Sequence, residues 1–432
     1  MTAEVLYKTM HHFFPHFSTW LKDVDDPRDQ SQTKYSIEHL LWTGILLFLF
    51  KIGSRRQAEY FFDTPAFVHN FNYLTKTSED KIADPDTLAE LLERIPPKEI
   101  SHIRKEMINR LIRMRSLEKF RLFKKYYLIT FDGTGYLSFN ERHCEHCLVK
   151  RKDNKILYYY HNVLEAKLIC ENGLALSVGT EFIENENETV SKQDCELKAF
   201  HRLAEKIKKD FPQLGICIQL DSLYAGEPVF DRCSGYGWEY IITFKEGSMS
   251  TVYEEYDSLR SQDKQNIKVV ERNNIYQKYD WVNEIEYKGS KSINVLGCFE
   301  RKDGEEKQYV WQTSFVNNQN NFEEIAKGGR LRWKIENEGF NTQKNGGYNL
   351  EHAYSEDTIG LKNYYLLIQI AHIINLLMEK GSLFTKEQIK KVFGGVKNIA
   401  RKLLEEFRTR SISIDELQNI TSVPFQIRFD ST

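Results

Sequence analysis

The sequence predicts an α/β protein with N-terminal helices, a mixed strand-and-helix core interrupted by an all-β insertion, and C-terminal helices. Three observations predict it. Residues 1–125 carry apolar side chains at helical spacing with no alternating strand pattern. At Tyr126 the period changes, and the order becomes three strands, a helix, a short buried strand and another helix, as in domains whose site lies at strand ends. Residues 238–316 then return to strand character before helix resumes at Asn321 or Phe322.

Within the first segment, Ser36 is placed to cap an amphipathic stretch from Ile37, and a second helix is expected over residues 55–62. In Asp84-Pro85-Asp86-Thr87, Asp86 or Thr87 can cap the run Leu88, Leu91, Leu92, Ile95, which Pro96 and Pro97 end. Residues 101–125 hold nine basic side chains against two acidic ones, a local excess that suits a DNA backbone. Residues 126–131 form a β-prone run ending at Asp132-Gly133-Thr134-Gly135, and strands are expected at 157–160, 163–170 and 174–182, with Asn172-Gly173 as a hairpin turn. Asp194 can cap a helix to about Lys209, and residues 216–220 form a buried strand ending at Asp221. Residues 359–380 and 386–408 read as long helices, the second basic and amphipathic, and the closing residues as a loose tail. The expected units are 1–125, 126–237, 238–320, 321–380 and 381–432.

Composition narrows the function. The chain has 432 residues, 41% hydrophobic and 13% aromatic, which is too apolar for a disordered protein. A net charge of −2 argues against a uniformly basic nucleic-acid coat, so any DNA contact must be local. The longest apolar run, residues 40–50, is too short to span a bilayer, and no export signal opens the sequence, so a cytoplasmic protein with no membrane partner is expected. Seven cysteines, only two of them closely spaced, do not suit a disulfide framework.

The chemistry-bearing residues are acidic. Asp132 and Asp221 each follow an apolar strand, and neighbouring strands ending together would place both carboxylates on one rim, where a hard cation takes oxygen ligands. Taken singly, each reads equally as a turn-capping aspartate. Further along, steps of four give Arg332, Glu336, Phe340 and Lys344 on one drifting helix face, a carboxylate flanked by two cations. Standing alone, that stripe would be a surface ion-pair ladder.

Strand-Asp132-Gly-Thr, strand-Asp221-Ser, the β-rich insertion and the Arg332-Trp333-Lys-Ile335-Glu336 helix together resemble a DDE transposase of the insertion-sequence 4 superfamily. The likeness runs roughly over residues 84–355. It implies an RNase H-like catalytic core in which 1–125 is a helical DNA-binding domain, 126–237 and 321–380 are the two parts of the core, 238–320 is the insertion and 381–432 is a C-terminal helical region. It further implies cleavage at transposon inverted-repeat ends and transfer of the freed 3′ hydroxyl into target DNA, by cut-and-paste, from a homodimer on DNA in the nucleoid. Carried over by position, Asp132, Asp221 and Glu336 are the catalytic acids and the ligands of two Mg2+ or Mn2+ ions, and Arg332 and Lys344 bind phosphates. The family's helix signature places a Tyr three residues before the Arg and a Lys seven after the Glu; here those positions are Gly329 and Gln343, with Lys344 one residue later. Glu338 is a rival third acid but lies about 200° around an α-helix from Glu336. Two alternatives stand beside the transposase: an RNase H-like nuclease without strand transfer, and a catalytically silent DNA-binding derivative.

Outside this core, Arg55 and Arg56 could be presented to a groove by their helix, and Arg110 and Arg113 could follow a DNA backbone. Cys144 and Cys147 form a Cys-x2-Cys knuckle with neighbouring histidines, and His161 lies downstream, so three or four zinc ligands can assemble locally. A structural zinc site usually draws on a second knuckle, which the sequence lacks. On that ground the expectation leans toward a hairpin tip with free thiols.

Overall fold

Side-chain caps start the N-terminal helices where the sequence places them. Ser36 accepts from the His39 amide at the head of Ile37–Leu49, and Ser54 from the Gln57 amide at the head of Arg55–Phe62. At the next helix, Pro85–Leu92, the cap is Asp84, not Asp86 or Thr87: Pro85 occupies the first helical position, where it needs no N–H, so the cap falls on the residue before it. Pro96 and Pro97 then separate this helix from Pro97–Arg113.

The computed structural model describes residues 2–288, 291–413, 415–416, 422 and 424–430. It is a mixed α/β architecture with one ten-stranded, mostly antiparallel sheet and helices from both ends of the chain. The strands are β1 (Tyr127–Phe139), β2 (Leu148–Lys152), β3 (Lys155–Ile169), β4 (Ala175–Ile183), β5 (Ile216–Leu220), β6 (Glu239–Thr243), β7 (Ile267–Arg272), β8 (Ile275–Tyr287), β9 (Lys291–Lys302) and β10 (Glu305–Thr313). They run in the order β2-β3-β1-β5-β6-β10-β9-β8-β7, with β4 also paired to β3. Among the described residues, only β1–β5 and β5–β6 pair in parallel. Those pairings need crossovers, which the helices Glu196–Asp210 and Glu227–Tyr236 supply.

Three expectations about elements are corrected here. The stretch 238–320 is not all-β, because it contains the helix Ser250–Leu259, and its first strand, β6, joins β5 in parallel. The basic C-terminal helix is two helices, Lys386–Lys391 and Lys397–Thr409, separated at Gly394 and Gly395, whose φ values of +67° and +145° no helix can accommodate. The end of the chain is not loose over 424–430: Ile427 and Phe429 are buried, Phe429 stacks on Phe13 at 5.6 Å, and its backbone bridges Gly381. Residues 414, 417–421, 423 and 431–432 of the expected tail lie outside the described residues.

The helix Thr358–Lys380 is buried nearly throughout because it packs against Ile37–Leu49, Pro97–Arg113 and β4 together. The helices before residue 125 therefore share one core with those after 358. The last helix continues this, packing on Thr2–Phe13 and Pro65–Thr75, with Glu406 accepting from the amide of Ala3 at 2.8 Å. No helix among the described residues is long and apolar enough to cross a membrane.

Candidate functional site

Alternation along β1 decides which way its residues point. Phe131 meets Phe200 of the helix Glu196–Asp210 on one face of the sheet. Leu128 packs with Ile325 and Ala326 on the other, and Thr130 there donates to Gln219, which donates in turn to the Gly328 carbonyl. Asp132 has the same parity as Leu128 and Thr130 and so faces the helix that follows residue 322. β1 does not stop at Asp132: it runs to Phe139, paired with β3, with a register shift between Gly135 and Leu137. The parallel neighbour β5 does stop. Its final pairings bring Gln219 opposite Thr130, so Asp221 leaves the sheet level with Asp132. One expected rim is thus made by a mid-strand aspartate beside a strand end. Asp221 also caps a short turn, accepting from the Leu223 amide at 2.8 Å.

Glu336 arrives on a segment that is not a plain α-helix. After Phe322–Leu331 the chain forms π-helical turns over Ile335–Asn341, then a last α turn over Thr342–Asn345. Wider turns break the four-residue stripe: Phe340 turns into an apolar cluster with Ile169, Ala175 and Ile335, whereas Glu336 stays on the Asp132 side. π-bulges of this kind recur at functional sites. Glu338 points elsewhere, pairing with Lys334 at 3.0 Å. Arg332 links the acids, its guanidinium 2.9 Å from Glu336 and 3.8 Å from Asp132.

A fourth carboxylate, which sequence reasoning missed, lies near Asp132 across β1, on the face that Phe131 and Gly133 take. Glu196 opens the helix Glu196–Asp210, accepts from the Tyr224 hydroxyl at 3.2 Å, and fills the space beside Gly133 so that a Cβ there would collide with its carboxylate. Its only sequence signal was an acid in the first turn of a helix. Asp194, expected to cap that helix, instead binds Arg202 at 2.6 Å, and Cys195 takes the cap position. Burial chiefly raises the Asp132 carboxyl to about 7; Arg332 opposes this, while Glu336, Glu196 and Asp221 add to it. Glu196 is raised as well, first by burial. These acids thus hold more negative charge than Arg332 offsets, and carboxylate oxygens are the donors that hard divalent cations take.

Gly329 and Gln343, where the helix differs from the signature of the transposases it resembles, are explained by local packing. At Gly329 an added Cβ would collide with the Trp311 indole, so no tyrosine fits. We expect Gly329→Ala to lower stability by about 1–3 kcal/mol through overpacking, read from urea unfolding; an unchanged midpoint would contradict this contact. Gln343 is buried, donating to Gln369 at 2.8 Å and within 3.0 Å of His372 Nδ1. Lys344 pairs with Glu351 at 2.8 Å and lines a polar groove of about 740 Å3 with Lys150, Tyr158, Tyr160 and Asn162.

The remaining basic candidates are dispersed. Arg55 lies 3.8 Å from Asp86, and Arg56 is exposed on the same helix. Arg110 donates to the Phe13 carbonyl at 3.3 Å, whereas Arg113 is exposed. Much of the basic stretch works inside the protein: Arg104 is buried against Ser177 and Glu165, Lys105 pairs with Asp210, and Lys119 donates to the Phe429 carbonyl. The cause is amphipathic packing, since Pro97–Arg113 lies on β4 and its cations on that side meet acids.

The expected free-thiol hairpin tip is instead a ligand cluster. Cys144, Cys147 and His161 converge, and His143 joins them, with one ligand atom from each lying within 4.8 Å of the others. This set can hold a metal such as zinc. A second knuckle is unnecessary because His161 comes from β3, alongside the end of β1. Compared with known proteins, the chain matches no family model and no curated sequence.

Proposed function

We propose that this protein is a DNA transposase that cleaves at transposon inverted-repeat ends and joins the 3′ hydroxyl to target DNA by cut-and-paste, acting as a homodimer on DNA in the nucleoid. The observation that carries the reading is that three acids far apart in sequence lie near one another: Arg332 reaches both Asp132 and Glu336, and Glu336 and Asp221 both help raise the Asp132 carboxyl. The strand order β4-β3-β1-β5-β6, antiparallel over the first three and parallel over the rest, supports an RNase H-like core carrying 244–320 as an addition at its β6 edge.

Asp132, Asp221 and Glu336 would hold two Mg2+ or Mn2+ ions, and such ions supply Lewis-acid activation of water and of the 3′ hydroxyl. Arg332 neutralises part of the acidic charge and orients Glu336 through its 2.9 Å contact. The neighbouring groove offers Lys150 and Lys344 to phosphates and Tyr158 and Tyr160 to bases or sugars. Tyr158 and Tyr160 share one strand face at 5.6 Å, while Tyr159 turns away to Arg142.

Purified protein, a duplex bearing the element's own ends, and Mg2+ or Mn2+ test the reading. Cleavage with strand transfer is expected, with Asp221→Ala and Glu336→Ala each at least about 10³-fold slower. Cleavage without joining would favour the nuclease alternative. Binding without cutting, unaltered by the substitutions, would leave a silent DNA-binding protein.

A further inference from the structure

We propose that His143, Cys144, Cys147 and His161 form a closed, four-ligand Zn2+ site that staples the root of the β2–β3 hairpin to the end of β1. The inference stands on local geometry and does not depend on the DNA-cutting reading. Cys144 Sγ lies 3.6 Å from Cys147 Sγ and 3.5 Å from His161 Nε2, and Cys147 Sγ lies 3.4 Å from that same nitrogen. A tetrahedral zinc with bonds of about 2.3 Å to sulfur and about 2.0–2.1 Å to nitrogen requires S–S and S–N separations of about 3.8 and 3.5 Å. The three atoms already stand at the corners of such a tetrahedron, and a disulfide, with sulfurs about 2.05 Å apart, does not describe them.

The surroundings are built to hold those corners. Cys147 and His161 are buried at 0% and 2% exposure. The Cys144 amide points at Cys147 Sγ at 3.4 Å, and the Cys147 amide returns to the Cys144 carbonyl, closing the knuckle. Asn185 fixes it from outside, donating to the Cys147 carbonyl at 2.9 Å and holding His146 Nδ1 on its own carbonyl, which takes His146 out of the ligand set. Phe139, at the end of β1, stacks on His143 at 4.4 Å. The Nδ1 atom of His143 is buried without a hydrogen-bond partner, which leaves that ring nitrogen available as the fourth ligand.

Position gives the site its task. Cys147 directly precedes β2 and His161 directly follows Tyr160 on β3, so one ion ties both legs of the hairpin together. Beyond the tie the hairpin is exposed and basic at Lys150, Arg151, Lys152 and Lys155, with Leu157 and Tyr158 also open to solvent. That arm forms one wall of the groove ending at Lys344.

Protein purified without a metal-affinity tag should carry about one zinc per chain after dialysis. Cys144→Ser and Cys147→Ser should lose it, and Cys195→Ser, at an exposed cysteine elsewhere, should keep it. Cobalt exchanged into the wild type should give the intense visible bands of a tetrahedral site with thiolate charge transfer, a readout that stands even where the serine variants fail to fold. A strong chelator should open the arm to trypsin at Lys150–Lys155 while the rest of the chain resists. Wild-type protein without bound zinc, without tetrahedral cobalt bands, or with an arm cut equally with and without chelator would overturn the proposal.

Discussion

Asp132→Asn is expected to abolish DNA cleavage and to make the metal-free protein more stable. Loss of activity should be at least about 10³-fold, because the substitution removes a charge from the centre of the proposed metal site while keeping its shape. The gain in stability follows from the carboxyl's elevated pKa. A group that binds its proton up to about pH 7 in the folded protein, against 3.8 as the ordinary value, is harder to ionise in the fold than in the unfolded chain. Between those two pH values the folded state binds more protons, so wild-type stability falls as pH rises. Above pH 7 the whole penalty is present, on the order of 4 kcal/mol at about 1.4 kcal/mol per pH unit. Asparagine carries no such penalty. In EDTA, urea unfolding should show the two proteins alike near pH 4, with the variant progressively ahead to pH 7 and by a constant margin beyond. A margin that does not change with pH would refute the assignment of strain to Asp132. Mg2+ or Mn2+ should stabilise the wild type and not the variant, since a ligand that binds only the folded state adds to its stability.

Glu165→Ala should cost about 3–5 kcal/mol, the range for breaking a buried ion pair from one side. Glu165 is fully buried on β3, opposite Asp132 in register. Its carboxylate accepts from Thr180 at 2.8 Å, Tyr365 at 3.0 Å and Ser177, and stands 3.9 Å from both Arg104 and Lys167. Alanine strands two buried cations. Lys167 is already held down to about 8, chiefly by burial, with Glu165 opposing the shift. Its folded pKa lies below its ordinary 10.5, so the protein gains stability as pH rises from about 8 toward 10.5. Without Glu165 that rise should begin at lower pH. A double variant, Glu165→Ala with Lys167→Met, should recover part of the loss by removing one stranded charge. Additive losses would show that Lys167 and Glu165 do not interact. Activity should fall too, since Lys167 donates to Gln369 at 2.7 Å and packs against Phe340 under the segment carrying Glu336.

How much of this was legible in the sequence depended on whether the signal was local. Ser36, Ser54, Asn172-Gly173 and the strand ending at Asp221 mark their elements with neighbouring residues, and the structure follows them. Asp132 and Asp221 could be singled out because each follows an apolar run of sequence, and Glu336 because a helical stripe reaches it. Glu196 could not: nothing near it in sequence refers to Gly133 or Tyr224, which meet it only after β1 and β5 are paired. The π-helical turns at Ile335–Asn341 were equally hidden, because Phe340 meets Ile169 and Ala175 only in the folded chain and no neighbouring residue marks the wider turn. His143 was visible as a histidine beside the knuckle, yet only the crossing of β3 past the end of β1 brings His161 to it. The basic run misled for the opposite reason. Charge density is read from sequence without regard to facing, and Arg104, Lys105 and Lys119 turned out to have partners within the protein.

The joining of β6 to β10 bears on any attempt to trim the chain. Three residue pairs, from Trp311↔Thr243 to Thr313↔Ile241, carry one hydrogen-bonded ladder from β1 and β5 out to β7. Excising 244–313 would therefore strip β6 of its covering partner and leave a raw, apolar edge at Ile241 and Ile242, a template for pairing between molecules. A shortened version should precipitate or form oligomers through that edge, whereas charged residues such as Lys268 and Arg272 on β7 mark the outer edge of the intact sheet.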